Sequence, residues 1–169
     1  MANQISEKMV VSYDDVNALV GIACGKVIDD NYFPDAIVGI SSGGLAPARM
    51  AKCFLEEYFP GRDIPVYVIG LHSYNTDKEH LPEVVLTQKF DSELEAKIAG
   101  SKILLVDEVD DTRLTLEKAC DYLIGLKAQN LNILIVHSKI KEKAGVIPEN
   151  VKLYCGKETQ PVWIEYPWK

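Results

Sequence analysis

The chain has 169 residues, 47% of them hydrophobic and 25% charged, which are the proportions of one ordinary globular domain. Its formal net charge of −7 argues against nonspecific nucleic-acid binding, because that binding depends on lysines and arginines that neutralise phosphates. No apolar run approaches the ~20 residues of a membrane span, and no signal peptide is visible at the amino terminus.

The first half of the chain alternates helix and strand patterns. Ser12 with Asp15 predicts a capping box for a helix that runs to about Ile28. A strand over 35–41, a helix over 45–59 and a strand over 65–71 follow. Residues 72–83 are polar and present no core face, which is typical of a functional loop, a disordered loop or both.

The second half continues the alternation up to residue 138. Its patterns predict a short strand over 84–89, a weak helix over 91–99, a strand over 103–106, a helix from 112 to about 126 and a strand over 132–138. We therefore expect an α/β fold, with a doubly wound, mostly parallel sheet and flanking helices. In a single domain with a core of about residues 10–138, we expect residues 139–169 to pack as a small appendage.

The strand over 103–106 is followed directly by four acidic residues within five positions: Asp107, Glu108, Asp110 and Asp111. Such acids repel one another unless a cation lies among them, and open α/β sheets bind ligands at this end of their strands. The next helix begins near Thr112, and its free N–H groups and positive dipole end favour a phosphate. The pattern predicts a site for a phosphorylated sugar with Mg²⁺.

A second strand–turn–helix junction contains Ser41, Ser42, Gly43 and Gly44. The two glycines allow main-chain N–H groups to close on an anion, although a Gly-Gly pair before a helix is more often only a tight turn. Taken alone, the junction leaves both interpretations open.

Two motifs carry a resemblance to a known family. Residues 106–116, Val-Asp-Glu-Val-Asp-Asp-Thr-Arg-Leu-Thr-Leu, resemble the ribose-phosphate signature of type I phosphoribosyltransferases. Arg113 stands where most of that family has glycine, but the fungal hypoxanthine-guanine members also carry Asp-Asp-Thr-Arg. The Ser41–Gly44 turn is similar to the family's pyrophosphate loop, in which Ser42 replaces the arginine of bacterial xanthine-guanine members.

The carboxyl-terminal residues resemble the purine-binding hood of the xanthine-guanine and fungal hypoxanthine-guanine enzymes. The matching run is Val-Trp-Ile-Glu-Tyr-Pro-Trp at 162–168. The resemblance implies that Trp163 stacks on the base and that Ile164 supplies apolar contact and main-chain hydrogen bonds. Lys139 aligns with a lysine that donates to the purine 6-oxo group, whereas Trp168 is expected to be structural.

The resemblance implies Mg²⁺-dependent purine salvage. The 5-phosphoribosyl group of phosphoribosyl pyrophosphate would pass to a 6-oxopurine, giving a nucleoside monophosphate and pyrophosphate. Asp111 would act as catalytic acid or base, and Asp107 and Glu108 would bind the ribose hydroxyls and the metal. The 5′-phosphate would lie on Thr112, Arg113, Leu114 and Thr115, under a lid that carries Ser73 and Tyr74.

Several alternatives and expectations accompany this hypothesis. A protein of the same fold could bind phosphoribosyl pyrophosphate or nucleotides as a regulator without catalysis, while the tryptophan tail argues against an orotate or uracil enzyme. The cysteines at 24, 53, 120 and 155 are expected to be reduced core residues of a cytoplasmic protein. A homodimer or tetramer is common in the family. His72, His80 and His137 are expected not to bind metal, and Asp110 is expected to be merely exposed.

Overall fold

The computed structural model describes residues 8–74 and 80–168, without the side chains of residues 74 and 80–82. In these ranges eight strands and four helices follow one another. In chain order they are β1 (Lys8–Val10), α1 (Tyr13–Asp29), β2 (Ala36–Ser41), α2 (Leu45–Tyr58), β3 (Val66–Tyr74), β4 (His80–Gln88), α3 (Ser92–Ile98), β5 (Lys102–Asp110), α4 (Leu114–Gly125), β6 (Asn130–Lys139), β7 (Leu153–Thr159) and β8 (Trp163–Glu165).

Six of the strands form one sheet in the order β4-β3-β2-β5-β6-β7. All neighbours in it are parallel except β3 and β4, which are antiparallel. The two remaining strands, β1 and β8, form a separate parallel pair. The predicted doubly wound, mostly parallel α/β fold is confirmed.

Hydrophobic layers cover both faces of this sheet, because successive strand residues point to opposite sides. Leu104 and Val106 of β5 belong to the cluster that includes α1 and α2, whereas Ile103 and Leu105 belong to the cluster that includes α4. The continuous apolar run in β5 is therefore the pattern of a strand that is buried on both faces.

The helix α1 begins at the predicted capping box. The Ser12 hydroxyl accepts a hydrogen bond from the Asp15 N–H at 3.1 Å, and the Asp15 carboxylate accepts one from the Ser12 N–H at 2.8 Å. Caps of this kind stabilise a helix by about 1 kcal/mol. Among the helices in the described ranges, none is long and apolar enough to cross a bilayer.

The structure corrects the prediction of a loop over residues 72–83. The strands β3 and β4 both extend into this stretch, with His72 opposite Val85 and Tyr74 opposite His80. A polar stretch can form such a two-stranded ribbon because the inter-strand hydrogen bonds need no hydrophobic face. Residues 75–79, at the centre of the proposed lid, lie outside the described residues, as does the side chain of Tyr74.

The expectation that residues 139–169 pack as an appendage is wrong for β7. This strand pairs in parallel with β6 and extends the central sheet. The paired residues run from Ile133 opposite Leu153 to Lys139 opposite Thr159. As an edge strand it carries a mixed burial pattern, so its sequence lacks the apolar run of β5 or β6. The expectation that all four cysteines are core residues is wrong for Cys53, which is exposed, whereas Cys24 and Cys120 are buried.

Candidate functional site

A cavity of about 490 Å³ lies at the carboxyl ends of β2, β5 and β6, with β3 and β8 at its sides. Its lining contains most of the residues predicted from the sequence. These are Ser41, Ser42, Gly43, Ser73, Asp107, Glu108, Asp111, Thr112, Arg113, Thr115, Lys139, Trp163 and Ile164. Residues from five separate strands and one helix thus meet at the end of the sheet where ligands bind in open α/β folds.

Gly44 and Leu114 do not line the cavity. Gly44 lies under the turn, where a Cβ would meet the carbonyl oxygens of Val106 and Ile40 at 2.5 and 2.8 Å. Only glycine lets the turn approach β5 this closely. Leu114 is the first residue of α4 and is 40% exposed.

The glycine turn and the acids of β5 are in direct contact. A Cβ on Gly43 would stand 2.0 Å from the carboxyl carbon of Glu108, so this position admits the carboxylate only because the side chain is absent. The Ser41–Ser42 peptide bond just before it is cis. Gly43 thereby brings main-chain groups and a carboxylate to the same wall of the cavity.

Asp107 and Glu108 form a buried acidic pair. Burial raises the pKa of Asp107 well above its ordinary value, and the charge of Glu108 raises it further. The Asp107 carboxylate accepts the Glu108 N–H at 2.9 Å, while Glu108 Oε2 is buried without a hydrogen-bond partner in the described structure. An unpartnered buried carboxylate oxygen fits a hard cation or a sugar hydroxyl, which are the ligands that the sequence predicted.

Asp111 lies between Lys139, the last residue of β6, and Lys141 just after it. Lys139 Nζ binds its Oδ2 and Lys141 Nζ its Oδ1, both at 2.8 Å. Burial raises the pKa of Asp111, but the hydrogen bonds and charges of the two lysines outweigh it and leave the pKa below the ordinary value. The carboxyl group is therefore ionised at neutral pH.

Asp110 is not exposed, contrary to the prediction. Its side chain is 0% accessible and accepts hydrogen bonds from Arg113 Nη2 at 2.7 Å and Nε at 3.2 Å. The Ser138 hydroxyl and the Lys143 ammonium also lie 3.3 Å from its Oδ2. Asp110 is thus the anionic centre of a buried polar cluster behind the cavity wall.

The same contacts explain Arg113. Its backbone has φ +73° and ψ −7°, the left-handed conformation that costs a residue with a Cβ about 1–2 kcal/mol. The family signature that residues 106–116 resemble mostly has glycine at this position, and glycine adopts the left-handed conformation without this penalty. The two-pronged ion pair with Asp110 offsets the penalty here, and it also balances the positive charge of Arg113.

The two tryptophans of the tail differ in exposure and in contacts. Trp163 is 61% exposed and lines the cavity, whereas Ile164 is buried beside it. Trp168 stacks on Tyr166 with ring centroids 4.9 Å apart and an interplanar angle of 10°. Trp163 consequently offers a free face to a ligand, and Trp168 fastens the tail to the core.

Tyr166 is a cavity residue that the sequence did not reveal. Its hydroxyl donates to the Glu108 carbonyl at 3.0 Å and lies 2.8 Å from His137 Nδ1. Because the tyrosine hydroxyl gives its proton to this carbonyl, Nδ1 of His137 carries a proton and donates it to the tyrosine oxygen. In the neutral ring, Nε2 then carries no proton. Burial and the charge of Lys157 lower the pKa of His137 to about 4, so the ring is neutral near pH 7.

Lys141 and Lys143 were also missed, as were Leu71 and His72 in the lining. The run Lys-Ile-Lys-Glu-Lys at 139–143 was available as a signal, but surface lysines are common and only Lys139 matched the family. What identifies the other two is the distance to Asp110 and Asp111 across two strands, which a local pattern does not contain.

Comparison with known proteins supports one family. A model of the phosphoribosyl transferase domain matches residues 9–166. The hypoxanthine-guanine phosphoribosyltransferase of Schizosaccharomyces pombe is 33% identical over 185 residues, covering 96% of this chain and 89% of the relative. Xanthine phosphoribosyltransferase 1 of Saccharomyces cerevisiae is 32% identical over 189 residues, covering 96% and 90%.

A solved structure is also similar over nearly the whole chain. The crystal structure of a hypothetical protein from Neisseria gonorrhoeae with bound ppGpp has a TM-score of 0.84 and 31% identity. The match covers 99% of this chain and 92% of that chain.

Proposed function

The chain belongs to the phosphoribosyl transferase domain family, and we propose that it transfers the 5-phosphoribosyl group of phosphoribosyl pyrophosphate to a 6-oxopurine in purine salvage. The products are a nucleoside monophosphate and pyrophosphate. One observation carries this proposal: Glu108, the start of α4, Lys139 and Trp163 line the same cavity, although they are far apart in the sequence. A sugar phosphate and a flat base both have a complementary surface there.

The phosphoribosyl group is held by the acids and by α4. The first N–H groups of α4 have no partner within the helix, so they attract the 5′-phosphate together with the Thr112 and Thr115 hydroxyls. The free oxygen of Glu108 accepts a ribose hydroxyl. Asp107 and Glu108 are the residues that would hold Mg²⁺, which when bound supplies positive charge to the leaving pyrophosphate.

The base is held by Trp163 and Lys139. Stacking on an aromatic face contributes about 1–3 kcal/mol per base. An ammonium has three hydrogens, so Lys139 keeps its bond to Asp111 and still donates to the purine 6-oxo group. Adenine would present an amino donor to the same ammonium, which is why we propose a 6-oxopurine.

Asp111 receives the proton that the purine imidazole loses when its nitrogen attacks the anomeric carbon. Its low pKa keeps it ionised at neutral pH, so the forward reaction begins with the base in the required state. Lys139 and Lys141 hold both carboxylate oxygens and thereby fix its direction.

A spectrophotometric assay with phosphoribosyl pyrophosphate and Mg²⁺ tests the proposal, with hypoxanthine, guanine, xanthine and adenine supplied separately. We expect turnover with at least one oxopurine, loss of it when the metal is chelated, and none with adenine. Inactivity with all three oxopurines would refute the enzymatic proposal.

A second candidate function is binding of nucleotides or phosphoribosyl pyrophosphate without catalysis, as a regulator. The ppGpp in the similar Neisseria gonorrhoeae protein favours it. Isothermal titration of the purified chain with ppGpp, followed by the same assay in its presence, separates the two: a regulator binds ppGpp and shows no turnover at any substrate concentration.

A further inference from the structure

Three consecutive carbonyl groups, from the last residue of β5 into the loop before α4, are bound by one segment of the chain. Lys143 Nζ donates to the carbonyls of Asp110 at 2.7 Å and Asp111 at 3.0 Å. The N–H groups of Ala144 and Gly145 donate to the carbonyl of Thr112 at 3.1 and 3.0 Å. The segment 139–145, which begins at the last residue of β6, therefore binds this side of the loop at every peptide unit from Asp110 to Thr112.

Lys143 is fully engaged in this contact. Its third donor goes to the Lys139 carbonyl at 2.8 Å, and its ammonium lies 3.3 Å from the buried carboxylate of Asp110. The side chain is only 14% exposed. A lysine ammonium that is removed from water in this way requires such partners, so its position is fixed.

Gly145 lets the segment approach the loop. A Cβ at this residue would lie 2.6 Å from the Arg113 carbonyl carbon and 2.8 Å from the Leu114 nitrogen. Those atoms are backbone, which cannot move aside without displacing the start of α4. The contact therefore depends on glycine here independently of the charge on Lys143.

The consequence for the cavity follows from peptide geometry. These peptide bonds are trans, and in a trans unit the carbonyl and the N–H point in opposite directions. Carbonyls that face the segment 139–145 turn the N–H groups of Asp111, Thr112 and Arg113 away from it. Among the described residues, no protein acceptor takes these three N–H groups, and the same residues line the cavity.

We propose that Lys143 is a positioning residue for phosphate binding. By holding the carbonyls on the far side of the loop, it presents a row of N–H donors to the 5′-phosphate and keeps carbonyl oxygens, which would repel an anion, out of the cavity. The proposal rests on the proposed function, because it takes a phosphorylated ribose as the ligand of this wall.

The test compares guanosine monophosphate with guanosine, which has the same base and ribose without the phosphate. Dissociation constants are measured by titration for the wild type, Lys143→Met and Gly145→Ala, with ligand-observed NMR for weak binding. Lys152→Met is the control, because this substitution removes the same charge and also breaks an ion pair, the one with Asp30 on the exposed surface. Thermal melts show which variants are folded.

We expect Lys143→Met to weaken binding of the monophosphate by about tenfold or more, the effect of losing a charged hydrogen bond, while guanosine affinity changes less than about twofold. Gly145→Ala should have the same selective effect with the ammonium intact, and it decides the question if Lys143→Met does not fold. Equal losses for both ligands, or a monophosphate affinity equal to that of Lys152→Met, would overturn the inference. If the wild type does not bind guanosine monophosphate, the comparison is made with the inosine and xanthosine pairs, and a wild type that binds none of the three monophosphates would instead refute the proposed function.

Discussion

The ion pair between Arg113 and Asp110 predicts an unusual order of stability for substitutions at residue 113. Removing one partner of a buried ion pair costs about 3–5 kcal/mol. We expect the lower end for Arg113→Ala, because Lys143 and Ser138 remain within reach of Asp110. Arg113→Ala should therefore lower the free energy of unfolding by about 3 kcal/mol.

Arg113→Gly loses the same ion pair but relieves the left-handed backbone. The relief is about 1–2 kcal/mol, and the greater flexibility of glycine in the unfolded chain offsets about 0.5–1 kcal/mol of it. The glycine variant should therefore be more stable than the alanine variant by about 0.5–1 kcal/mol, the reverse of the order expected at an ordinary helix position.

Urea denaturation near neutral pH, followed by tryptophan fluorescence, measures these differences. Arg49→Ala is the matched control, because Arg49 is an exposed residue of α2 and its loss should change stability by less than about 0.5 kcal/mol. If the alanine variant were as stable as the glycine variant, the strain at residue 113 would not be relieved as we reason. If both matched the wild type, the buried pair would contribute nothing.

Three further outcomes are expected. Trp163→Ala should raise the KM of the purine between about five- and hundredfold without lowering the melting temperature. Trp168→Ala should lower the melting temperature, because it removes the stack on Tyr166. Equal melting temperatures of the two variants would contradict this division of roles. Asp111→Asn should reduce kcat by about 10²–10⁴ while the dissociation constant of phosphoribosyl pyrophosphate stays nearly constant, and unchanged turnover would exclude the proton-transfer role. His137 has a pKa of about 4 in the folded chain and an ordinary value of 6.5 when unfolded, so the unfolded state binds more protons between these values and stability falls as the pH drops through them. The wild type should lose free energy of unfolding between about pH 7.5 and pH 5, and His137→Asn should lose about 2 kcal/mol less, measured by denaturation at both pH values. An identical loss in the variant would show that this ring does not titrate as inferred.

The sequence by itself determined the architecture and most of the cavity lining. Helical and strand periodicities are local properties, and the capping box at Ser12 and the apolar run before Asp107 lie within a few residues of the structure they specify. Because parallel strands end at the same edge of a sheet, the order of elements was enough to bring Gly43 and Glu108 together.

The tertiary structure decided what those local patterns do not contain. Asp110 has the same sequence surroundings as Asp111, yet it is buried because Ser138 and Lys143, about 30 residues away, reach it across the sheet. The edge strand β7 and the β1–β8 pair are likewise long-range pairings with weak periodicity. A charged side chain can be buried only where other groups replace its hydrogen bonds to water. Partners that are distant in the sequence come within reach only in the folded structure.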